Sequence, residues 1–596
     1  MDQRFPTRRT PVMGSFDTRP ARVEQWIANL PLLNLGETSR QLFNALVEIN
    51  SLDINLQQRF KVLELLRTPV AEVTGAMQKH YIGQHFPLPE KARKVADLSQ
   101  AMLNQLAIGY RIVVAGEADK GRLLRDRRLL TSAVHRALSS LGQVLLKAYQ
   151  IYAPYPQGVW REIHQLYALA EQHKLLDSPV KDAAHLQTAA RIEDAYKQIL
   201  LLALACPYRL RQGEVNQVFE VLEDWAGQVR LTRLGDPEQT NVLFLTHLAS
   251  DDPPSYLALR HSRCSQADCR LLDTAQLAET VRNELSRRRK EGRRGTPAEG
   301  TLRRLMLAWG VMPRRKFSRA EKHATAAVAI GLSATHFFVS GEQVFSPQGN
   351  SPRFETPAHF EASDPRERQE TVPDVWDPSY VRQWHPDQDT VRMVDLPDEM
   401  ANKTPLSAPA EETSPAQPAY TTEEWKMVDV SAGGYRLLWT RHEQSPAEVG
   451  ELLGVRESSD PDVFHLALGV IRWMKCSDAH GLELGVQMIS PGAVAVGTRL
   501  DRPDGGSEYM RSLILPEVSA IGQPASLLTP ALPYHVGDRL VVNCHGKEAR
   551  VELTKLVENT GCFAQFQFRP LDNRPAGESG GRNLTPEDFE SLWNEI

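Results

Sequence analysis

Two short stretches of this chain carry residue types that could do recognition chemistry. The first is Arg314-Arg315-Lys316-Phe317-Ser318-Arg319, and the second is Asp429-Val430-Ser431-Ala432-Gly433-Gly434. A guanidinium can give two parallel hydrogen bonds to guanine O6 and N7, stack on the base face, or clamp a phosphate bidentately. Arginines four apart on an extended arm can divide those tasks. A tight turn presenting Asp and Ser, with glycines that allow close backbone approach, adds polar contacts to a base edge or a phosphate. Together the two stretches suit a small, doubly charged purine ligand. Each also has a plainer reading, the first as a solvated basic linker and the second as an ordinary turn.

Catalytic chemistry has no comparable signature. There is no Gly-x-x-x-x-Gly-Lys-Ser/Thr loop, no Gly-x-Gly-x-x-Gly after a strand and no His-Glu-x-x-His. The expectation is a protein that is not an enzyme. Six scattered cysteines make no disulfide framework. The one close set, His261-x-x-Cys264-x4-Cys269, lacks a second pair at zinc spacing, so unpaired reduced thiols are expected and no metal. A net charge of −5 argues against a surface devoted to coating nucleic acid or anionic lipid. With no apolar run long enough to span a bilayer and no secretory pattern at the N-terminus, a cytoplasmic setting without a membrane span is expected.

The elements that must hold the two stretches fall into a helical half and a strand-rich half. The chain's 596 residues imply several folded units. From about Val23 to Val229 apolar stripes recur at helical spacing, as in Leu42, Leu46 and Ile49, in Val95, Leu98, Met102 and Leu106, and in Trp160, Ile163 and Tyr167. Turns are expected at Arg67-Thr68-Pro69 and at 153–158. Val242 to Leu245 reads as a short strand and Thr274 to Leu285 as a helix. Arg282 to Arg319 then holds thirteen Lys/Arg against three acidic residues, densest at Arg287 to Lys290 and Arg293-Arg294, with a helix starting near Pro297. Residues 341–420 hold twelve prolines, and fifteen acidic against six basic residues, which reads as a disordered insertion and a weak electrostatic counterpart of the basic stretch. After Tyr420 short alternating strands take over, at 434–439, 464–474, 482–489, 539–542 and 563–568, the spacing of one or two small antiparallel barrels. Trp425, Trp439 and Trp473 are expected in the barrel core.

Taken together, Arg315-x-x-x-Arg319, the strand-like His323 to Gly331, Asp429-x-Ser431-x-x-Gly434 and the strands near 449–453, 467–473 and 481–488 resemble the signature of PilZ domains, bacterial receptors for cyclic diguanylate (cyclic di-GMP). The resemblance covers about 315–340 and 423–490. It implies that Arg315 and Arg319 grip guanine and phosphate, with Arg314 as an extra contact, and that Asp429, Ser431, Gly433 and Gly434 complete the pocket. The family usually has only a few tens of residues between the motif halves, so the proline-rich segment must be an insertion within the barrel, tolerable because loop-closure entropy rises only logarithmically with length.

The resulting expectation is a multidomain α+β protein: an N-terminal all-α helical region, then a PilZ-like antiparallel β-barrel, then a further small β unit packed on it. Its boundaries are a disordered arm at 1–20, a helical domain at 21–235, a mixed α/β segment with basic linker at 236–310, a barrel from 311–340 and 421–492 around the insertion at 341–420, a second β unit at 493–575, and a tail at 576–596. The expected ligand is cyclic di-GMP, ordering the basic arm and signalling to a protein partner or a second copy through the helices. Two other readings stand beside it. One is a nucleic-acid adaptor using the basic 287–294 segment, and the other is a PilZ-like scaffold that has lost its ligand.

Overall fold

In a computed structural model, the residues described are 5–180, 190–234, 244–259, 267–291, 297–310, 318–346, 353–355, 420–457, 466–477, 479–502, 508–517, 524–544 and 546–571. The chain forms two compact units, one built mainly of residues up to Pro313 and the other mainly of residues from Arg314 onward.

The first unit is helical. It contains α1 (Pro20–Ala28), α2 (Leu35–Ser51), α3 (Leu56–Met77), α4 (Glu90–Ala118), α5 (Arg127–Gln150), α6 (Val159–Gln172), α7 (Ile192–Leu204) and α8 (Gln212–Trp225). Starts are set by side-chain caps: Asn34 accepts from Glu37 N–H, and Asp126 accepts from Arg128 and Leu129 N–H. The stripes read from sequence meet in one core, with Leu42, Leu46, Ile49, Leu63, Leu138 and Trp160 fully buried. A four-stranded antiparallel sheet follows, from β1 (Arg230–Arg233), β2 (Phe244–His247), β3 (Ser255–Tyr256) and β4 (Cys269–Asp273), in the order β1-β4-β2-β3. Helices α9 (Ala275–Glu291) and α10 (Glu299–Gly310) complete the unit.

Two expectations are corrected here. Arg67-Thr68-Pro69 is not a turn, because Pro69 lies buried inside α3. The proline removes one helical hydrogen bond, and the burial of Val62, Leu63, Leu66, Val70 and Val73 around it keeps the helix continuous. Nor is the N-terminal arm free of structure. Arg9 exchanges backbone hydrogen bonds at the end of α2, donating to Ser51 C=O and accepting from Asp53 N–H, Phe16 meets Trp26 edge to face, and Phe5 lies under the Arg111 guanidinium. Its aromatic residues find apolar and cationic partners that composition alone does not reveal.

One buried group gives this unit a pH signature. His164 is fully buried, with Nδ1 bonded to the Tyr196 hydroxyl and Nε2 to the Asp252 carbonyl. Burial pulls its imidazole down to about 4 from 6.5. The unfolded chain therefore takes up a proton that the folded one refuses, so the contribution to stability is intact above pH 6.5 and is lost as the pH falls towards 4. The full loss is about 3 kcal/mol. His164→Gln is expected to flatten the stability profile over that window, measured by urea denaturation at a series of pH values.

The second unit opens with β5 (Ala320–Ile330), followed by α11 (Leu332–Val339) and a small hairpin of β6 (Val344–Ser346) and β7 (Arg353–Glu355). Strands β8 (Glu423–Ser431), β9 (Gly434–Trp439), β10 (Leu452–Glu457), β11 (Ala467–Ser477) and β12 (Gly481–Ser490) close with β5 into a six-stranded antiparallel barrel, β10-β11-β12-β9-β8-β5. A second closed barrel, β13-β14-β15-β18-β17-β16, consists of β13 (Val494–Leu500), β14 (Met510–Leu515), β15 (Ser526–Pro530), β16 (Arg539–Cys544), β17 (Lys547–Asn559) and β18 (Phe563–Pro570). Closure leaves neither barrel with a free edge.

The barrels share an apolar seam. Leu452, Leu468 and Val470 of the first meet Ala495, Leu513, Leu515, Leu528 and Phe563 of the second, with Leu332 and Val339 of α11 packed against them. Arg472 adds a bidentate pair to Glu558, at 2.5 and 2.8 Å. Although residues 331–422 separate β5 from β8, the two strands pair directly, Ala326 opposite Trp425. The insertion's flanks meet on the second barrel, where the Arg511 guanidinium lies 5.4 Å from the Phe345 ring and 5.9 Å from the Tyr420 ring. The disordered insertion expected at 341–420 falls almost wholly outside the described residues.

Candidate ligand-binding face

The polar turn read from sequence is a two-residue hairpin. Ser431 ends β8 and pairs with Gly434, the first residue of β9, across Ala432 and Gly433. The Ser431 hydroxyl donates to Gly434 C=O at 3.3 Å, and Gly433 C=O accepts from Met488 N–H at 3.0 Å. Gly434 has φ +146°, and a Cβ there would stand 1.9 Å from Val486 C=O, so only glycine lets β9 lie this close to β12.

A β-bulge decides where Asp429 points. Along β8, Trp425 and Met427 are buried in the barrel, and strict alternation would send Asp429 inward as well. Both neighbouring ladders skip a step here: β9 pairs shift between Met427 and Asp429, and β5 pairs shift between Glu321 and Ala324. Val428 absorbs the extra residue, and Asp429 turns to the outer face. There its carboxylate lies 3.5 Å from the Arg319 guanidinium and 3.8 Å from that of Arg436.

Arg319 immediately precedes β5, whose Glu321 is paired with Asp429. The structure thus brings Arg319 to Asp429, Ser431, Gly433 and Gly434, from which it is far removed in sequence. Arg314 and Arg315 lie outside the described residues. Arg436 belongs to the same cluster and was missed from sequence, although period-two alternation from Gly434 puts it on the same strand face. It binds Glu483 of β12 at 3.0 Å. Nearby, Lys322 pairs with Glu457. The face therefore alternates cations and carboxylates, and Arg319, with its side chain 47% exposed, is the guanidinium most open to an anion.

Asp429 acts on this face by holding Arg319 and Arg436 in place. Long contacts to guanidinium groups that are 47% and 35% exposed add little to stability, even though the carboxylate itself is only 13% exposed. Asp429→Ala is expected to leave the melting temperature nearly unchanged while weakening anion-ligand binding roughly three- to tenfold, one positioning contact's worth. Parallel calorimetry and thermal melts check both parts.

The other sequence candidates separate from this cluster. Trp425 and Trp439 are buried in the barrel, 5.1 Å apart between ring centroids, as expected of core residues. Trp473 is not: it is half-buried on the outer surface, because β11 carries its own register shift between Ile471 and Trp473. In the basic stretch, Arg282 pairs with Glu279, Arg287 and Arg288 both pair with Glu284, and Arg303 pairs with Glu299. Their charge is partly met along the helices themselves. Of the cysteine set, Cys269 is buried in β4 and the other two positions lie outside the described residues. Among the described residues no group of His, Cys, Asp or Glu is arranged to hold a metal ion, and no helix is long and apolar enough to cross a membrane.

Comparison with known proteins bears on this arrangement. Three family models match in succession: "Cyclic-di-GMP receptor FimW, N-terminal domain" over residues 21–238, "Cyclic-di-GMP receptor FimW, middle PilZ domain" over 243–494, and "FimW C-terminal beta-barrel domain" over 496–571. The Cyclic-di-GMP receptor FimW of Pseudomonas aeruginosa strain PAO1 is 32% identical over 622 aligned positions, covering 100% of this chain and 98% of the relative. The chain belongs to the FimW family. Its first β-barrel is the PilZ barrel of that family, and the second is the FimW C-terminal barrel. The PilZ match begins at residue 243, well before β5, so the FimW middle domain takes in the β2–β4 strands and helices α9 and α10 as well as the barrel. No solved structure matches the chain.

Proposed function

We propose that this FimW-family protein is a cytoplasmic, non-enzymatic receptor that binds cyclic di-GMP on the outer face of its first barrel. The observation that carries the reading is the meeting of Arg319 with Asp429 beside the Ser431–Gly434 turn, across a long covalent separation. The relative's name as a cyclic-di-GMP receptor supports it.

In this reading Arg319 clamps a phosphate or a guanine edge, Arg315 and Arg314 supply the second cationic grip, and Ser431, Gly433 and Gly434 offer a polar bend that the ligand can approach closely. Before binding, Asp429 neutralises Arg319. A ligand phosphate then engages the exposed edge of the guanidinium that this carboxylate holds in place. The arm from Arg314 to Arg319 lies on the covalent path between α10 and β5, so fixing it constrains a link between the barrel and the preceding helices. Output then passes to a protein partner, or to a second copy, through the helical region.

Calorimetric titration of the full chain with cyclic di-GMP tests the proposal. Micromolar or tighter binding that survives a salt titration is expected. No binding heat at high protein concentration, or salt-steep binding to long RNA without preference for the cyclic dinucleotide, would overturn it.

A further inference from the structure

The helical unit carries a surface feature that neither its core nor the barrel face accounts for. Between α4 and α5 the chain makes a tight turn, Gly121-Arg122-Leu123-Leu124, closed by a hydrogen bond from Leu124 N–H to Gly121 C=O at 2.9 Å. Leu123 is 98% exposed and Leu124 is 80% exposed. Single apolar residues on a surface are ordinary, but two adjacent leucines standing out at the tip of a turn gain nothing from folding. The loop that presents them is braced. Arg125 ties it down, donating to the carbonyls of Glu117 at 3.1 Å, Ala118 at 2.7 Å and Lys120 at 2.9 Å, and meeting His173 Nδ1 at 2.9 Å. The fully buried Glu117 carboxylate holds both sides of the turn, accepting from Lys120 Nζ at 2.5 Å and from Asp126 N–H at 3.0 Å.

Cations surround this tip. Residues 119–128 hold five Lys/Arg against two Asp, and Asp126 is engaged in capping α5. Arg122 and Arg128 are exposed, and among the described residues neither makes an ion pair. Arg127 donates to the His173 and Lys174 carbonyls, which brings the exposed Lys174 to the same end of the unit. We propose that the α4–α5 turn is an interfacial foot that seats the protein on an anionic lipid surface. Leu123 and Leu124 enter the boundary between headgroups and acyl chains, while Arg122, Arg128 and Lys174 contact lipid phosphates. A protein partner would need a pocket cut to this convex tip, whereas a fluid bilayer moulds itself around one and offers negative charge to the whole ring of cations. Nucleic acid would use the cations and leave both leucines in water. The chain's net charge of −5 confines the attraction to this local patch. The proposal is independent of the ligand reading above.

The test is co-sedimentation of the full-length chain with phosphatidylcholine vesicles prepared with and without phosphatidylglycerol. The parent is expected to bind the vesicles that contain phosphatidylglycerol and to bind them better as its fraction rises. The double variant Leu123→Ser, Leu124→Ser is expected to partition roughly tenfold or more weakly, with its melting temperature unchanged because both side chains are already in water. Leu123→Phe, Leu124→Phe should retain binding. Arg122→Glu, Arg128→Glu should also lose roughly tenfold or more, since each cation near an anionic surface is worth about fivefold. A parent that ignores the anionic vesicles overturns the proposal, and so does a serine variant that binds them as the parent does, which would reduce the contact to unspecific charge attraction. Equal binding to vesicles with and without phosphatidylglycerol would overturn the role given to the cations.

Discussion

Arg319→Ala is expected to weaken cyclic di-GMP binding at least tenfold while the barrel remains folded. A charge-assisted hydrogen bond to phosphate is worth about 1.5–3 kcal/mol, and a bidentate guanidinium makes two. Little is lost in the folded state to offset this, because among the described residues Arg319 pairs with Asp429 at 3.5 Å, with the guanidinium side of the pair open to water. Calorimetry gives the affinity, and the far-ultraviolet dichroism and melting temperature should match the parent. Arg319→Lys keeps the charge and loses the fork, so it should recover only part of the affinity. Arg315→Ala carries the same expectation. Unchanged affinity in both alanine variants would remove the assignment of these arginines to the ligand.

Gly434→Ala should be the most damaging single methyl group in the barrel. The added Cβ would lie 1.9 Å from Val486 C=O and 3.0 Å from Gln487 Cα, both backbone atoms that cannot swing aside, and φ at +146° is itself costly for an L-residue. Overpacking and backbone strain together are expected to cost about 3 kcal/mol or more. In chemical denaturation the transition of the second unit should move to lower denaturant, with that of the helical unit unmoved. A Gly434→Ala protein as stable as the parent would mean that β9 and β12 are not as closely apposed as described. The same variant should also lose ligand binding, since it displaces the turn that carries Ser431.

Much of this architecture was legible in the sequence because its signals are periodic. The stripes at Leu42, Leu46 and Ile49 and at Trp160, Ile163 and Tyr167 predict helices packed on one core, and they form one. The alternating runs at 434–439, 482–489 and 563–568 predict barrel strands, and they are β9, β12 and β18. What the sequence hid is aperiodic. A bulge has no composition of its own, so the outward turn of Asp429 at Val428 and of Trp473 at Arg472 appears only when the partner strands fix the register. Arg436 escaped notice for a different reason: one arginine on a strand is ordinary until a carboxylate from the next strand lies beside it. Pro69 was misread because local propensity argues for a break, and the surrounding apolar packing overrides it.

The clasp at Arg511, which gathers Phe345 and Tyr420 under one guanidinium, makes the chain between them thermodynamically cheap to edit. With both ends moored at one spot, lengthening the excursion adds only a logarithmic entropy penalty. A reporter, an epitope or a whole foreign module spliced in after Glu355 would hang from the barrel pair like a pendant, and the sheets would not register its weight.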